Sequence, residues 1–351
     1  MRAVQILGKG KFELRDIPVP EIGDDDILMQ VKACGMCGSD LPFFAGVNEP
    51  ILDRPYTMGH EFTGVIAKVG KNVDPYWKVG DRVVSDNTAH VCGRCPACAQ
   101  GHFVQCKERG CLGASDDGGY AEYVRIPGDV LKIYPNTLYH IPECLTFEEA
   151  TLMDPVANGY TAVVEQGEVR PGDNVVIFGA GALGLMALQQ AHVAGAAKII
   201  LIGRASDKRA RFEIGRKYGA THCLASDEED VVERVRQITG NHGVKTVIDA
   251  AGPPIVTHQA IQMLRNEGIL VRIGTSKRPY NYDLDDFAFK NISIRGHMGY
   301  STMAWMNSLA LIEAGKLDLK SIITETMPLE NYRIAAEKLI SQEAAKIILI
   351  P

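Results

Sequence analysis

Four of the nine cysteines in this 351-residue chain, Cys92, Cys95, Cys98 and Cys106, are spaced C-x2-C-x2-C-x7-C within HVCGRCPACAQGHFVQC, where Gly93, Pro96 and Gly101 turn the backbone tightly. Four soft thiolates this close can complete a tetrahedral shell around zinc and leave no position for a substrate, which makes the site structural. An iron–sulfur cluster is the other four-thiolate chemistry, but its familiar spacings differ. Of the rest, Cys34, Cys111, Cys144 and Cys223 read singly as small buried hydrophobes. Cys37 is the exception. It lies in ACGMCGSD and is followed by Gly59-His60-Glu61 in GHEFTGVIAKVG. A thiolate, an imidazole and a carboxylate are the ligand types of a catalytic zinc with one open position. On spacing alone, His60 reads equally well as a satisfied structural histidine.

A second chemistry is written at Gly179-Ala180-Gly181-Ala182-Leu183-Gly184, between the strand-like NVVIF and a helix running through Gly195, with a second strand, KIILI, after it. G-x-G-x-x-G at a strand-to-helix turn in a βαβ unit is a dinucleotide fingerprint. Gly179 permits the turn, Gly181 lets the backbone approach a pyrophosphate, and Gly184 lets helix and strand pack closely. The diphosphate would meet the unpaired N–H groups at the helix start. At the end of the second strand an NAD site expects an acid, and this chain offers Gly203-Arg204 and then Ala-Ser-Asp-Lys-Arg. Arg204, Lys208 and Arg209 suit a 2′-phosphate and favour NADP. Asp207 keeps NAD open, and solvated bases on an ordinary loop are the plain alternative.

The elements that must position these groups fall into two kinds. The first 130 residues hold short apolar runs broken by Pro, Gly and Asp, which predicts a β-rich domain. Thr146-Phe147-Glu148-Glu149 is a capping box opening a helix towards Asp154. From 172 to 290, strand and helix alternate: Ser226 to Glu229 caps a helix ending near Gly240, and KTVIDAAG and GILVRIG are buried strands of a parallel sheet. Helical stretches from 302 and 329 and the closing KIILI form a return segment. The fold class is therefore α/β, with about two domains for this length.

Composition excludes other classes. Hydrophobic residues make up 46% and charged residues 23%, so disorder does not fit. The net charge of −6 gives no basic field for nucleic acid or anionic membrane. The longest apolar stretch, Val175 to Leu188, is glycine-interrupted and too short for a bilayer span. MRAVQILGKG lacks a signal-peptide core, and with the odd cysteine count this predicts reduced thiols and a cytoplasmic address.

Together, CGMCGSD, GHEFTGVIAKVG, VGDRVV, the four-cysteine lobe, GGYAEYV, GAGALG and the final KIILI resemble the zinc-dependent medium-chain dehydrogenase/reductase family, in its sorbitol (polyol) and threonine dehydrogenase branch, over nearly the full length. The resemblance implies a GroES-like catalytic domain from residues 1–155 plus 291–351, with a Rossmann domain, 156–290, inserted. It makes Cys37, His60 and Glu61 the catalytic zinc motif and Asp154 a further ligand or near-ligand, with Glu61 or Asp154 alternating with water. Asp40 would orient His60. The implied reaction is reversible alcohol oxidation, with zinc as Lewis acid and hydride passing to nicotinamide. Ser39 matches the proton-relay hydroxyl. The histidine that many members place three residues later is Pro42 here, so Ser39 would pass its proton through cofactor ribose or water.

For substrate, Tyr300 matches a pocket tyrosine of sorbitol dehydrogenases, but their preceding arginine is Gly299. The histidine that threonine enzymes carry ahead of the lobe is Ala89. Phe43, Phe44 and Tyr56 either line the pocket or pack the core. A polyol, sugar acid or sugar derivative is the leading substrate class, and a 1,2-diol or amino alcohol the alternative. A homodimer or homotetramer is what the family implies. The rivals are a zinc-free reductase of the same superfamily and a non-catalytic zinc- and nucleotide-binding protein.

Overall fold

The runs that are apolar at every position become the strands of a sheet buried on both faces. The computed structural model describes residues 1–50, 54–276, 278–282 and 285–351. Asn174–Phe178 pairs in parallel with Lys198–Gly203 on one side and Val244–Asp249 on the other. His222–Ala225 extends one edge, and Leu264–Arg272 and Ser293–Gly296 extend the other, all parallel. Strand order reverses at Asn174–Phe178, the arrangement that opens a ligand crevice at the carboxyl ends of such strands.

The second sheet is mainly antiparallel. Ile27–Gly35 pairs with Glu61–Val69, which pairs with Arg82–Ser85. The closing strand Lys346–Ile350 adds antiparallel to Ile27–Gly35, placing Ile348 opposite Gly35, and carries Ile323–Pro328 in parallel on its other side. Phe62, Ile66, Met29, Tyr120 and Ile347 lie in the core beneath it, each 0% exposed. The C-terminal strand thus belongs to the sheet built by the first residues of the chain.

Residues 1–154 with 319–351 form one compact unit and 155–318 the other. The return lies at 319 rather than near 291, because Ser293–Gly296 completes the parallel sheet and the helix Thr302–Glu313 clusters with the second unit.

The Thr146 box forms as expected: the Glu149 N–H donates to Thr146 Oγ1 at 3.2 Å, and Thr146 N–H donates back to Glu149 Oε2 at 2.9 Å. The helix expected to be capped by Ser226 to Glu229 starts instead at Val231. Asp230 is its cap, its carboxylate accepting from Val232 and Glu233, while residues 226–229 form a turn. The nucleotide-turn helix, Ala182–Val193, ends short of Gly195. Among the described residues, no helix is long and apolar enough to cross a membrane.

Candidate active site

Cys37 follows the end of Ile27–Gly35, and His60 immediately precedes Glu61–Val69. Because Gly35 lies opposite Glu61 in the antiparallel register, those two strand ends bring the three side chains together. Their ligand atoms all lie within 4.8 Å of one another. Residues 37–40 form a tight turn in which Asp40 N–H donates to Cys37 O at 3.1 Å and Cys37 N–H donates to Asp40 Oδ2 at 3.1 Å. Asp40 is buried, accepts the Tyr120 hydroxyl at 2.6 Å, and has Oδ1 3.6 Å from His60 Nδ1. Burial works against a charged His60, but Cys37 and Asp40 outweigh it and hold the imidazole well above its ordinary pKa.

Glu61 is buried, and its Oε2 is paired with the ammonium of Lys346, which is also buried. Gly35 makes the room: a Cβ there would stand 2.5 Å from Glu61 Oε2 and 2.9 Å from Lys346 Cε. Burial penalises the Lys346 charge, yet Glu61 and Cys37 more than offset it and hold the ammonium above its usual pKa.

Asp154 stands in the first turn of Met153–Tyr160 and accepts a hydrogen bond from Asn87 Nδ2 at 3.0 Å. It is outside the 4.8 Å group. Desolvation pushes its carboxyl up, against the charge of His60, and Glu61 pushes the same way as desolvation. A carboxylate in that setting is stabilised by a nearby cation, as are the thiol and carboxylate beside it. The donor set, one sulfur, one imidazole nitrogen and carboxylate oxygen, suits zinc.

Ser39 is exposed on the 37–40 turn. Pro42 lies in the first turn of the short helix Leu41–Phe44, where a missing N–H costs no helical bond. Phe43 packs against the first unit's core, where Phe44 stacks on Phe12 at 3.9 Å, and Tyr56 is buried in that core. Tyr300, in the second unit, is buried edge-on to Trp305 at 5.4 Å.

The four lobe cysteines converge within the same 4.8 Å limit. Backbone N–H from Cys98, at the start of Pro96–Ala99, lowers the Cys95 thiol to about 6. Burial and neighbouring thiols raise Cys98 to about 12. Four thiolates cannot ionise side by side without a cation, so the cluster fits a closed zinc shell.

At the nucleotide turn, Gly179 has φ 99°, and a Cβ on Gly184 would lie 1.9 Å from Gly179 O. Nothing stands within 4 Å of the Cβ position of Gly181, which caps the helix without a side chain and leaves its first N–H groups for a ligand. Leu183 lies in the helix's first turn. Asp207 is turned inward: its Oδ2 accepts Arg204 N–H at 2.9 Å and Oδ1 is 3.3 Å from Arg211 Nη1. Gly203 is required beneath it, since a Cβ would stand 2.5 Å from Asp207 Oδ2. Arg204 lies 3.5 Å from Asp227, Lys208 pairs with Glu228, and Arg209 is exposed.

The family model for the alcohol dehydrogenase GroES-like domain matches residues 23–136, and that for zinc-binding dehydrogenase matches 182–314. The chain belongs to the zinc-dependent medium-chain dehydrogenase family. It is 38% identical to the uncharacterized zinc-type alcohol dehydrogenase-like protein YdjL of Escherichia coli, over 99% of this chain and 98% of that protein. It is 31% identical to an L-threonine 3-dehydrogenase of Bacillus velezensis, over 96% and 95% of the two chains. It is 30% identical to a sorbitol dehydrogenase of Bacillus subtilis, over 100% and 97%. Among solved structures, the alcohol dehydrogenase TADH of Thermus sp. ATN1 superposes with a TM-score of 0.89 at 30% identity, covering 100% and 99%.

As a zinc-type alcohol dehydrogenase, the chain carries two residues at this centre that motif reading did not find. Lys346 sits at the start of KIILI, where a lysine ahead of an apolar strand reads as an ordinary solvent-facing end. Asn87 lies in the corner between Arg82–Ser85 and Thr88–His90, inside four consecutive polar residues, Ser85 to Thr88, that are all buried. Buried polar runs point to function, but nothing in the sequence marks this one as buried.

Proposed function

We propose that this dehydrogenase interconverts a secondary alcohol of a polyol, sugar acid or sugar derivative with its ketone, using a nicotinamide cofactor, with NADP preferred over NAD. The observation that carries the reading is the convergence of Cys37, His60 and Glu61 within 4.8 Å, with Asp40 behind the imidazole. Cys37 and His60 would hold the catalytic zinc together with Asp154, held by Asn87, and Glu61, inside the 4.8 Å group and paired with Lys346, one of these two carboxylates alternating with water. The lobe cysteines 92, 95, 98 and 106 would hold a second, structural zinc.

When bound, zinc supplies Lewis acidity at an alcohol oxygen, and the nicotinamide supplies the hydride acceptor. The chain's own groups supply position and proton handling. Asp40, held by the Tyr120 hydroxyl and 3.6 Å from His60 Nδ1, is the group that would orient the histidine. Ser39, exposed on the turn, takes the hydroxyl proton and passes it to cofactor ribose or water, since Pro42 replaces a second relay group. Gly179, Gly181, Leu183 and Gly184 receive the diphosphate, and Arg204, Lys208 and Arg209 receive the 2′-phosphate. Phe43 and Tyr56 pack in the core of the first unit and Tyr300 against Trp305 in the second, so core packing accounts for all three, and a pocket role for any of them comes from the family resemblance alone. We place the enzyme in the cytoplasm as a homodimer or homotetramer, which sedimentation of the purified protein tests.

The test is an oxidation panel of polyols, sugar acids, 1,2-diols and threonine, run with NAD and NADP side by side, together with zinc analysis. The reading expects turnover on a polyol or sugar acid and two zinc ions per chain, falling to one in Cys37→Ser with loss of turnover. Turnover unchanged in a zinc-depleted Cys37→Ser variant would overturn it. Oxidation confined to threonine would move the substrate to the amino alcohols, a class to which the threonine relative belongs by name.

A further inference from the structure

The corner that carries Asn87 is polar and buried. Ser85, Asp86, Asn87 and Thr88 are at most 3% exposed. Asn87 has φ 62°, the left-handed region that asparagine tolerates better than most side chains. Its backbone is fixed on both sides: its N–H donates to Ser85 Oγ at 3.0 Å, and its carbonyl accepts Leu112 N–H at 2.7 Å. The side-chain amide then reaches three groups from two other parts of the chain. Oδ1 accepts from Arg109 Nη2 at 2.6 Å and from the Cys111 thiol at 3.2 Å, and Nδ2 donates to Asp154 Oδ2 at 3.0 Å. Arg109 Nε also donates to Thr88 Oγ1 at 3.3 Å, and Thr88 faces Cys111 across the short ladder that closes the lobe.

The direction of this amide is forced. A guanidinium has only donors to offer, so the asparagine oxygen must face Arg109, and the NH2 must face Asp154. An acceptor at position 154 is therefore held from one side by a donor whose own orientation is set by the lobe. Metal-binding side chains are commonly oriented in this way by a hydrogen-bonded neighbour, and loss of such neighbours costs about 10–100-fold in metal affinity.

We propose that Asn87 is a positioning residue for the catalytic metal: its amide, locked by Arg109 and Cys111, sets the orientation in which Asp154 presents its carboxylate to the Cys37–His60 pair. This rests on the reading of Asp154 as a ligand. Two substitutions separate the amide from the backbone it sits on. Asn87→Gly removes the amide and keeps the left-handed turn without strain. Asn87→Asp keeps shape and the acceptor for Arg109, but turns the donor towards Asp154 into a second carboxylate oxygen.

The experiment uses full-length protein with Co(II) in place of zinc, read by visible absorption and by the rate of cobalt loss to a chelator. Bands lost in Cys37→Ser belong to the catalytic site, and those that remain belong to the lobe. Asp154→Asn, Asn87→Gly and Asn87→Asp are expected to shift the catalytic bands and to speed cobalt release from that site by about tenfold or more, while the lobe bands stay fixed. A general loosening of the fold would move both sets and would overturn the positioning role. If Asp154→Asn shifts the bands and both Asn87 variants match the unsubstituted enzyme, Asn87 does not position the ligand. If Asp154→Asn leaves the bands unchanged, Asp154 is no ligand, and the proposal falls with that reading rather than on its own account.

Discussion

Lys346 and Glu61 form an ion pair that is 1% and 2% exposed, joining the last strand of the chain to the residue after His60. Two charges this deeply buried are costly apart, so removal of one partner is the damaging change. Lys346→Met is expected to lower the unfolding free energy of the zinc-loaded enzyme by about 3–5 kcal/mol, and the double variant with Glu61→Gln is expected to recover part of the loss. Urea unfolding of the single and double variants measures both. A single-variant loss under about 1 kcal/mol would mean the pair is hydrated in solution.

Two of the three glycines of the nucleotide turn separate fold from binding. Gly181 has an ordinary extended backbone, φ −76° and ψ 177°, with open space at its Cβ position. Gly181→Ala is expected to leave the melting temperature unchanged and to weaken cofactor binding about tenfold or more, because the methyl occupies the diphosphate's approach. In Gly184→Ala the methyl meets Gly179 O at 1.9 Å, so folding itself suffers. Thermal unfolding with and without cofactor distinguishes the two.

What was legible in the chain was local or had a spacing. The four lobe cysteines and the Thr146 capping box carry their geometry in a few neighbouring residues, whereas the Cys37–His60–Glu61 set was legible through its motifs and is brought together by the Gly35–Glu61 register. The Lys346 pair joins positions 285 apart in sequence, and only the antiparallel addition of the last strand brings them together. Asn87 depends on a left-handed corner and on Arg109 from the far side of the lobe. The cap at Asp230 is a local matter: several acids precede the helix, and only the one with an extended backbone immediately before Val231 can cap it.

His297 offers a pH test away from the metal. Its ring lies between the side-chain amides of Gln166 at 2.8 Å and Asn158 at 3.0 Å, and desolvation lowers its pKa from 6.5 to about 4. A histidine depressed in the folded state binds fewer protons there than in the unfolded chain, so its contribution is present above pH 6.5 and lost as pH falls towards 4. With partial exposure discounted, the loss is about 1–2 kcal/mol. Urea unfolding at pH 7.5 and pH 5 should show a smaller pH-dependent loss in His297→Gln than in the unsubstituted enzyme. Equal losses would place the proton elsewhere.

The proposed preference for NADP draws on the inward rotation of Asp207. With one oxygen on Arg204 N–H and the other beside Arg211, its carboxylate is buried and committed to the turn. The outer face of that turn presents Arg204, Lys208 and Arg209, opposed by Asp227 and Glu228. A 2′-phosphate, with more charge than either carboxylate, competes for the same guanidinium and ammonium groups. Arg204→Ala and Lys208→Ala are each expected to weaken NADP binding by about tenfold or more while changing NAD binding less than about twofold. Asp227→Asn, which frees Arg204, is expected to tighten NADP, and added salt to weaken it. Fluorescence titration with both cofactors reads all three effects. Unchanged NADP affinity in both basic-residue variants would reassign the enzyme to NAD.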